Sequence, residues 1–335
     1  MNNSVIREFI HALPKTETHL HLEGALPWEL LMEMDPAKFT ENPYFHDESF
    51  RYESFEQFES ILIDHALAFF KSADSYYKAS KLIFEKQLAQ NVRYTEISFH
   101  AGMIEFLKIP GEEILEAILS AVPDSLEVRV FLGISRNAYT EYLGPILEEA
   151  LVKWDGLSGI DLHGLESIPL QEWTKPFWFH AGQCGKTLKA HAGEFGPSSN
   201  VAFSVFELGV RRIQHGVRAM DDPKLLQQLV DLGVAIDMCP ISNYRLKVVD
   251  RLIDHPLKKF LDMGIRCTVS TDDPLSFGNN LEMEYDTCVR QMGCVPSDLR
   301  DIALNGFEVA DIDSCIRRQL LNDVQVCFDH FFPEK

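Results

Sequence analysis

His19 and His21 stand two residues apart in a segment, Thr18 to Glu23, that alternates apolar and polar residues. Such alternation marks a β-strand, where side chains two apart share a face and their Cα atoms lie about 6–7 Å from one another. Two imidazoles converging from one face are half of a metal site. His191 supplies a third imidazole and Asp272 a carboxylate. Nitrogen and oxygen donors without thiolate suit Zn²⁺, one ion per chain, with a position left for water. Zinc lowers the pKa of that water towards 7, so hydroxide becomes available at neutral pH. Glu194 follows in His191-Ala-Gly-Glu194, and Gly193 lets the chain turn so that the carboxylate reaches the same space as a general acid or base. His215 either takes a proton from the metal-bound water or holds its hydroxide. Asp273, beside Asp272, offers a second carboxylate to a substrate. Metal-assisted hydrolysis is the chemistry these residue types support.

Distant positions must converge for this to work. Strand-like runs recur at 92–99, 127–135, 157–163, 187–191, 211–215, 234–241 and 266–271, separated by helical patterns. With the first strand they make eight, and alternating strand and helix over this length predicts a (β/α)8 TIM barrel, an α/β fold. Most runs end in reactive side chains: His100, Ser135 and Arg136, Asp161 and His163, His191, His215, Asp272 and Asp273. Active sites of such barrels sit at the C-terminal ends of the strands. Extra helices are expected after strand 1 and after strand 8, and the absence of a linker predicts one domain over 1–335. The excursion at 27–91 holds a loop (35–52) and two expected helices, 55–71 and 75–90. Phe55, Phe58 and Leu62, at helical spacing there, are either ordinary core or an apolar lid over a pocket.

Composition narrows the partners. Net charge is −20, from 51 acidic and 31 basic residues, a field that repels phosphate backbones and argues against nucleic acid. No apolar run is long enough for a membrane span, and residues 1–13 lack the basic start and apolar core of a signal peptide. Seven cysteines without a C-x-x-C pair are expected to be reduced thiols of a cytoplasmic protein. A homo-oligomer is compatible with all of this.

The order His19-x-His21-x-Glu23-Gly24, His191-Ala-Gly-Glu194, His215-Gly216, Cys239-Pro240-Ile241-Ser242-Asn243 and Thr271-Asp272-Asp273-Pro274 resembles the adenosine and adenine deaminases of the metal-dependent amidohydrolase superfamily. The resemblance implies one zinc held by His19, His21, His191 and Asp272, with Glu194 protonating purine N1 and His215 positioning the attacking hydroxide. It implies that Asp273 bonds N7, that the backbone of Gly164 bonds N3, and that Asp161 and Ser242 support the ligands. The activity implied is hydrolysis of the cyclic amidine C–N bond of a small-molecule 6-aminopurine. Many adenosine deaminases carry Asp where this chain has Glu23, and that Asp meets the ribose 5′-hydroxyl. Glu is familiar there in adenine deaminases and in some relatives acting on modified adenine nucleosides, while Thr271-Asp272-Asp273-Pro274-Leu275-Ser276-Phe277 resembles the adenosine type more closely. Adenosine or a 5′-modified adenosine, going to the inosine-type product and ammonia, is the expected substrate. Adenine, an N6-substituted adenine and aminodeoxyfutalosine are the alternatives. Another metal hydrolase on this barrel and a non-catalytic binding protein are the rivals from other classes.

Overall fold

A computed structural model describes residues 3–41 and 43–333; Asn42 of the expected 35–52 loop and both chain ends lie outside them. Eight strands follow one another in sequence order: β1 (Lys15–His21), β2 (Val92–His100), β3 (Glu127–Ser135), β4 (Leu157–His163), β5 (Thr187–Ala192), β6 (Arg212–His215), β7 (Ala235–Met238) and β8 (Arg266–Val269). Every neighbouring pair is parallel. The ring closes just beyond β8. There the Asp272 amide donates to His19 O (3.2 Å) and the His21 amide donates to Asp272 O (3.1 Å). This is the expected (β/α)8 barrel, and closure itself draws Asp272 against the two histidines.

Strand ends differ from the sequence reading where the chain turns to build the rim. The run at 234–241 is strand only to Met238, because Pro240 opens the helix Pro240–Arg245 at a position where a missing N–H costs nothing. The run at 266–271 stops at Val269. Glu23 is not on the first strand, which ends at His21; it begins the 3₁₀ turn Glu23–Ala25.

The barrel interior beneath the site is charged rather than aliphatic. Arg212 donates to Glu96 (3.0 and 2.9 Å) and to Asp237 (3.0 Å), and Lys189 pairs with Glu96. Lys189 Nζ also donates to Thr18 O at 2.6 Å, fixing the peptide just before His19. Buried pairs of this kind add little net stability, because desolvation offsets the attraction.

The excursion folds as helices Trp28–Met34, Phe55–Phe69 and Ala73–Ala89. Ser54 caps the second by accepting from the Gln57 amide. Helices Leu281–Gln291, Pro296–Val309 and Ser314–Phe331 follow β8, and Phe9 of the helix Asn3–Ala12, which precedes β1, packs edge-on against Phe328, Phe331 and Phe332. Among the described residues no helix is long and apolar enough to cross a membrane.

Candidate active site and metal centre

Closure of the barrel brings His19 and His21 from β1, His191 from β5 and Asp272 from the turn after β8 to one point. Their Nε2 atoms lie 3.0 Å (His19–His191), 3.1 Å (His21–His191) and 3.4 Å (His19–His21) apart. Asp272 Oδ1 lies 3.2 Å from His19 Nε2 and 3.3 Å from His21 Nε2. Ligands about 2.0–2.1 Å from a tetrahedral ion are about 3.3 Å from each other, so these spacings fit a metal of that size. Lone pairs this close repel one another unless a cation lies among them.

The opposite ring nitrogens are engaged. His191 Nδ1 lies 3.1 Å from Leu162 O and 3.2 Å from Asp161 Oδ1, acceptors that keep its proton there and leave Nε2 a bare lone pair. His21 Nδ1 meets Ser98 Oγ at 3.2 Å, and His19 Nδ1 meets Cys239 Sγ at 3.4 Å. Ser242 Oγ donates to Asp272 Oδ2 at 2.7 Å, which leaves Oδ1 to face the histidines. Asp161 and Ser242 thus lie where the sequence expects support. Ser98 escaped the sequence reading, and Cys239 entered it only as part of a motif.

His215 and Asp272 share a strained backbone, with φ of 64° and 65°. A left-handed conformation off glycine costs on the order of 1–3 kcal/mol, and it is retained here at two residues that face the cluster. His215 Nε2 lies 3.6 Å from Glu194 Oε1 and 3.8 Å from Asp272 Oδ2. The hydrogen-bond chain behind His215 assigns its tautomer. The Leu257 amide donates to His255 Nδ1 (3.3 Å), so neutral His255, which burial pushes down to about 3, carries its proton on Nε2. That N–H donates to Asn243 Oδ1 (3.0 Å), and Asn243 Nδ2 then donates to His215 Nδ1 (3.1 Å). Burial keeps His215 neutral, and its N–H points from Nε2 into the site. Of the two roles open in the sequence, this geometry suits holding an oxygen.

Glu194 is buried, and burial, followed by the charges of Asp272, Glu166 and Asp273, raises its carboxyl well above the usual range. A cation among the histidines offsets the like charges; burial remains. Among the described residues the Glu194 carboxyl makes no hydrogen bond.

Glu194, His191 and Asp272 form one end of a cavity of about 500 Å³ that His21, Glu23, Gly164 and Asp273 also line. Asp273 Oδ1 is buried without a partner, and burial, with Asp272 beside it, raises this carboxyl too. Its place requires Gly24, where any Cβ would come within 1.6 Å of that oxygen. Glu23 Oε1 accepts from Tyr76 Oη (2.9 Å) and both its oxygens from the His100 amide (3.2 Å each). His100 Nδ1 accepts from the Gly102 amide (2.9 Å), so its Nε2–H donates to Ser135 Oγ (2.9 Å). His163 Nε2, in the same wall, is buried and unpartnered.

The far end is apolar. Phe55, Phe58 and Leu62 line it together with Leu67, Met103 and Phe106. Phe58 stacks on Phe277 (5.5 Å between centroids, 5° between planes) and Phe55 meets Phe195 (5.4 Å). Phe58 is buried in the core and lines the cavity as well, while Phe55 and Leu62 stay half-buried. Phe70, by contrast, is fully buried against Tyr76.

The adenosine deaminase family profile matches residues 14–327. An adenine deaminase of Streptomyces coelicolor is 30% identical over 324 residues, 93% of this chain and 95% of that protein. One from Cupriavidus necator is 30% identical over 340 residues, 98% and 95% of the two chains. The crystal structure of an adenine deaminase from Arthrobacter aurescens superposes with a TM-score of 0.84 at 25% identity, over 94% of this chain and 99% of that one. The chain belongs to the adenosine deaminase family and is a hydrolase acting on C–N bonds.

Proposed function

We propose that this chain is a zinc-dependent deaminase that converts adenine and water to hypoxanthine and ammonia. The observation that carries the reading is a four-donor metal cradle beside which, within 4.8 Å of Asp272 and lining the same cavity, lies a buried carboxyl with no hydrogen bond of its own. C6 of an aminopurine resists attack while the ring stays aromatic, so the reaction needs a strong nucleophile and a proton on N1 at the same moment. His19, His21, His191 and Asp272 would hold a zinc ion, which would supply a water with its pKa lowered towards 7.

The chain's own groups do the rest. Glu194, kept protonated by burial, gives its proton to N1 as C6 becomes tetrahedral. His215 donates from Nε2 to the attacking oxygen and orients it. Asp272 Oδ2, with a lone pair beyond the one Ser242 uses, is an acceptor for the proton that the water loses. That proton then reaches the amine, which leaves as ammonia, while the C6 hydroxyl gives up its proton as the carbonyl forms and so returns Glu194 to its protonated state. Asp273, a neutral carboxyl with a free oxygen, donates to N7, and the Gly164 amide donates to N3.

Adenine is preferred over adenosine because of Glu23. Its buried carboxyl, held by Tyr76 and the His100 amide, has acceptor capacity left on Oε2 for the N9–H that only the free base has. The relatives at 30% identity are adenine deaminases as well. Adenine, adenosine, 9-methyladenine and N6-methyladenine, followed by ultraviolet absorbance and released amine, test the reading. One lost hydrogen bond is worth about tenfold, so adenosine and 9-methyladenine should fall at least that far below adenine in kcat/KM. Equal or faster turnover of adenosine overturns it. A second reading comes from the cavity's size: about 500 Å³ with an apolar end leaves room for an apolar N6 group or a modified sugar.

A further inference from the structure

Glu166 follows β4 by three residues and is not part of the cavity wall. Its carboxylate is nevertheless the most heavily bonded anion near the site. Oε1 accepts from the amides of Glu194 (2.7 Å), Phe195 (3.0 Å) and Gly196 (3.0 Å). Oε2 accepts from the Gly193 amide (2.9 Å) and from Asn200 Nδ2 (2.7 Å). A carboxylate offers about four lone-pair sites, so five donors saturate it and leave nothing for a metal or a substrate. Four successive peptides, 193 to 196, therefore converge on one internal anion, an arrangement otherwise used to bind anions from solution. The loop's glycines allow it. Gly193 has φ +72°, and a Cβ on Gly196 would come within 2.5 Å of Glu166 Oε2.

We propose that Glu166 is a positioning residue for the proton donor, an internal anion that fixes loop 193–196 and so aims the Glu194 carboxyl at the substrate. A group that must give up a proton cannot be tied down through its own carboxyl, and Glu194 is not; its aim has to come from its backbone. The same anion lies 4.0 Å from Arg136 Nη2, which donates to His191 O at 3.3 Å. The metal ligand and the acid are thereby referenced to one point. The proposal rests on Glu194 being the donor to N1.

Glu166→Gln tests it, because it keeps the side chain's volume but turns an acceptor oxygen into an amide that faces other N–H groups. The measurements are kcat and KM on the aminopurine, bound metal, and the affinity for hypoxanthine, in Glu166→Gln, Glu166→Asp, Glu194→Gln and the double variant. A misplacement near 1 Å costs about a hundredfold, so Glu166→Gln should lower kcat about 10–100-fold, with metal retained and KM and hypoxanthine affinity within about threefold. Glu166→Asp, shorter but still an anion, should recover part of the loss. In the Glu194→Gln background, Glu166→Gln should cost less than about threefold, because the group it acts through is already gone. A kcat within threefold of wild type, loss of metal, or the full loss repeated in the Glu194→Gln background overturns the proposal. If Glu166→Gln does not fold, Asn200→Ala removes a single donor. It should then give a several-fold loss of kcat that disappears in the Glu194→Gln background, and a loss equal in both backgrounds overturns the proposal. Should Glu194→Gln itself stay fully active, the reading of Glu194 fails and the clamp with it. Should Glu194→Gln be slow and Glu166→Gln normal, only the clamp fails.

Discussion

The two ends of the cavity are built on different principles. At the inner end the four donors of the cluster stand on a strand or in the turn just after one, and each is held by a further bond: Asp161 and Leu162 O behind His191, Ser98 behind His21, Cys239 behind His19, Ser242 behind Asp272. At the outer end Phe55 and Leu62 sit on one helix of an excursion, half-buried, with ring contacts instead of hydrogen bonds. Eight hydrogen-bonded strands hold these side chains on rigid elements, which metal geometry and proton transfer require. An apolar wall needs only shape, and a helix laid over the barrel mouth provides that. Changes at the inner end should remove the reaction; changes at the outer end should alter what enters.

The largest effect belongs to the cradle. His191→Ala takes one imidazole from a cluster whose remaining donors converge on the same point, so bound metal and activity should disappear together. Elemental analysis beside an activity assay reads both, and a chelator should reproduce the loss in the unaltered protein. A metal-free preparation that stays fully active would mean that these four residues do not serve the reaction through a metal.

Glu194→Gln should come next, and it divides the inner end into two functions. Gln is nearly isosteric and cannot deliver a proton, so metal content and folding should be normal while kcat falls about 10²–10⁴-fold. If the metal leaves with this carboxyl, Glu194 belongs to the cradle.

Much of this division was legible in the sequence, and the part that was not has a common cause. His19, His21, His191 and Asp272 stand in short patterns because chemistry fixes their type and strands fix their spacing. Glu166 was missed because four of its five donors are backbone amides of residues 193–196, and peptide groups leave no trace in a sequence. The one available cue was a carboxylate just past a strand end. His255 was missed for the same reason, since its tautomer is set by the Leu257 amide. Glu23 was placed on the strand by its alternation, but the chain turns at His21, and the partners that hold Glu23, Tyr76 and the His100 amide, are 53 and 77 residues away. Lid and core could not be told apart by periodicity, because Phe58 is buried and also lines the cavity.

A smaller effect is expected one layer behind the ligands. Asp161→Asn keeps the shape behind His191 but weakens the charge-assisted bond to Nδ1. Loss of such a support typically costs about 10–100-fold in metal affinity or activity. Titration with a competing chelator should show weaker binding, and saturating zinc should restore most of the rate. If the rate stays low with the metal site full, Asp161 acts on the substrate and not through His191.

The smallest effect should come from the outer end, and it tests the comparison most directly. Leu62 is half-buried, on a helix that carries none of the metal donors, and it faces the cavity. Leu62→Ala removes three carbon atoms from that wall. If a substrate covers about 40 Å² of this side chain, its loss is worth roughly 1 kcal/mol at about 25 cal/mol per Å², or a rise in KM of about fivefold. The reacting atoms lie at the other end, so kcat should stay within about threefold and the metal content should not change. Because the residue is not fully buried, the melting temperature should fall by only a few degrees. Substrates with apolar substituents should lose more than adenine, since they reach further along the same wall. A fall in kcat comparable to that of Glu194→Gln, with KM unchanged, would place Leu62 in the machinery that positions the reacting atoms, and the two ends of the cavity would then work as a single unit.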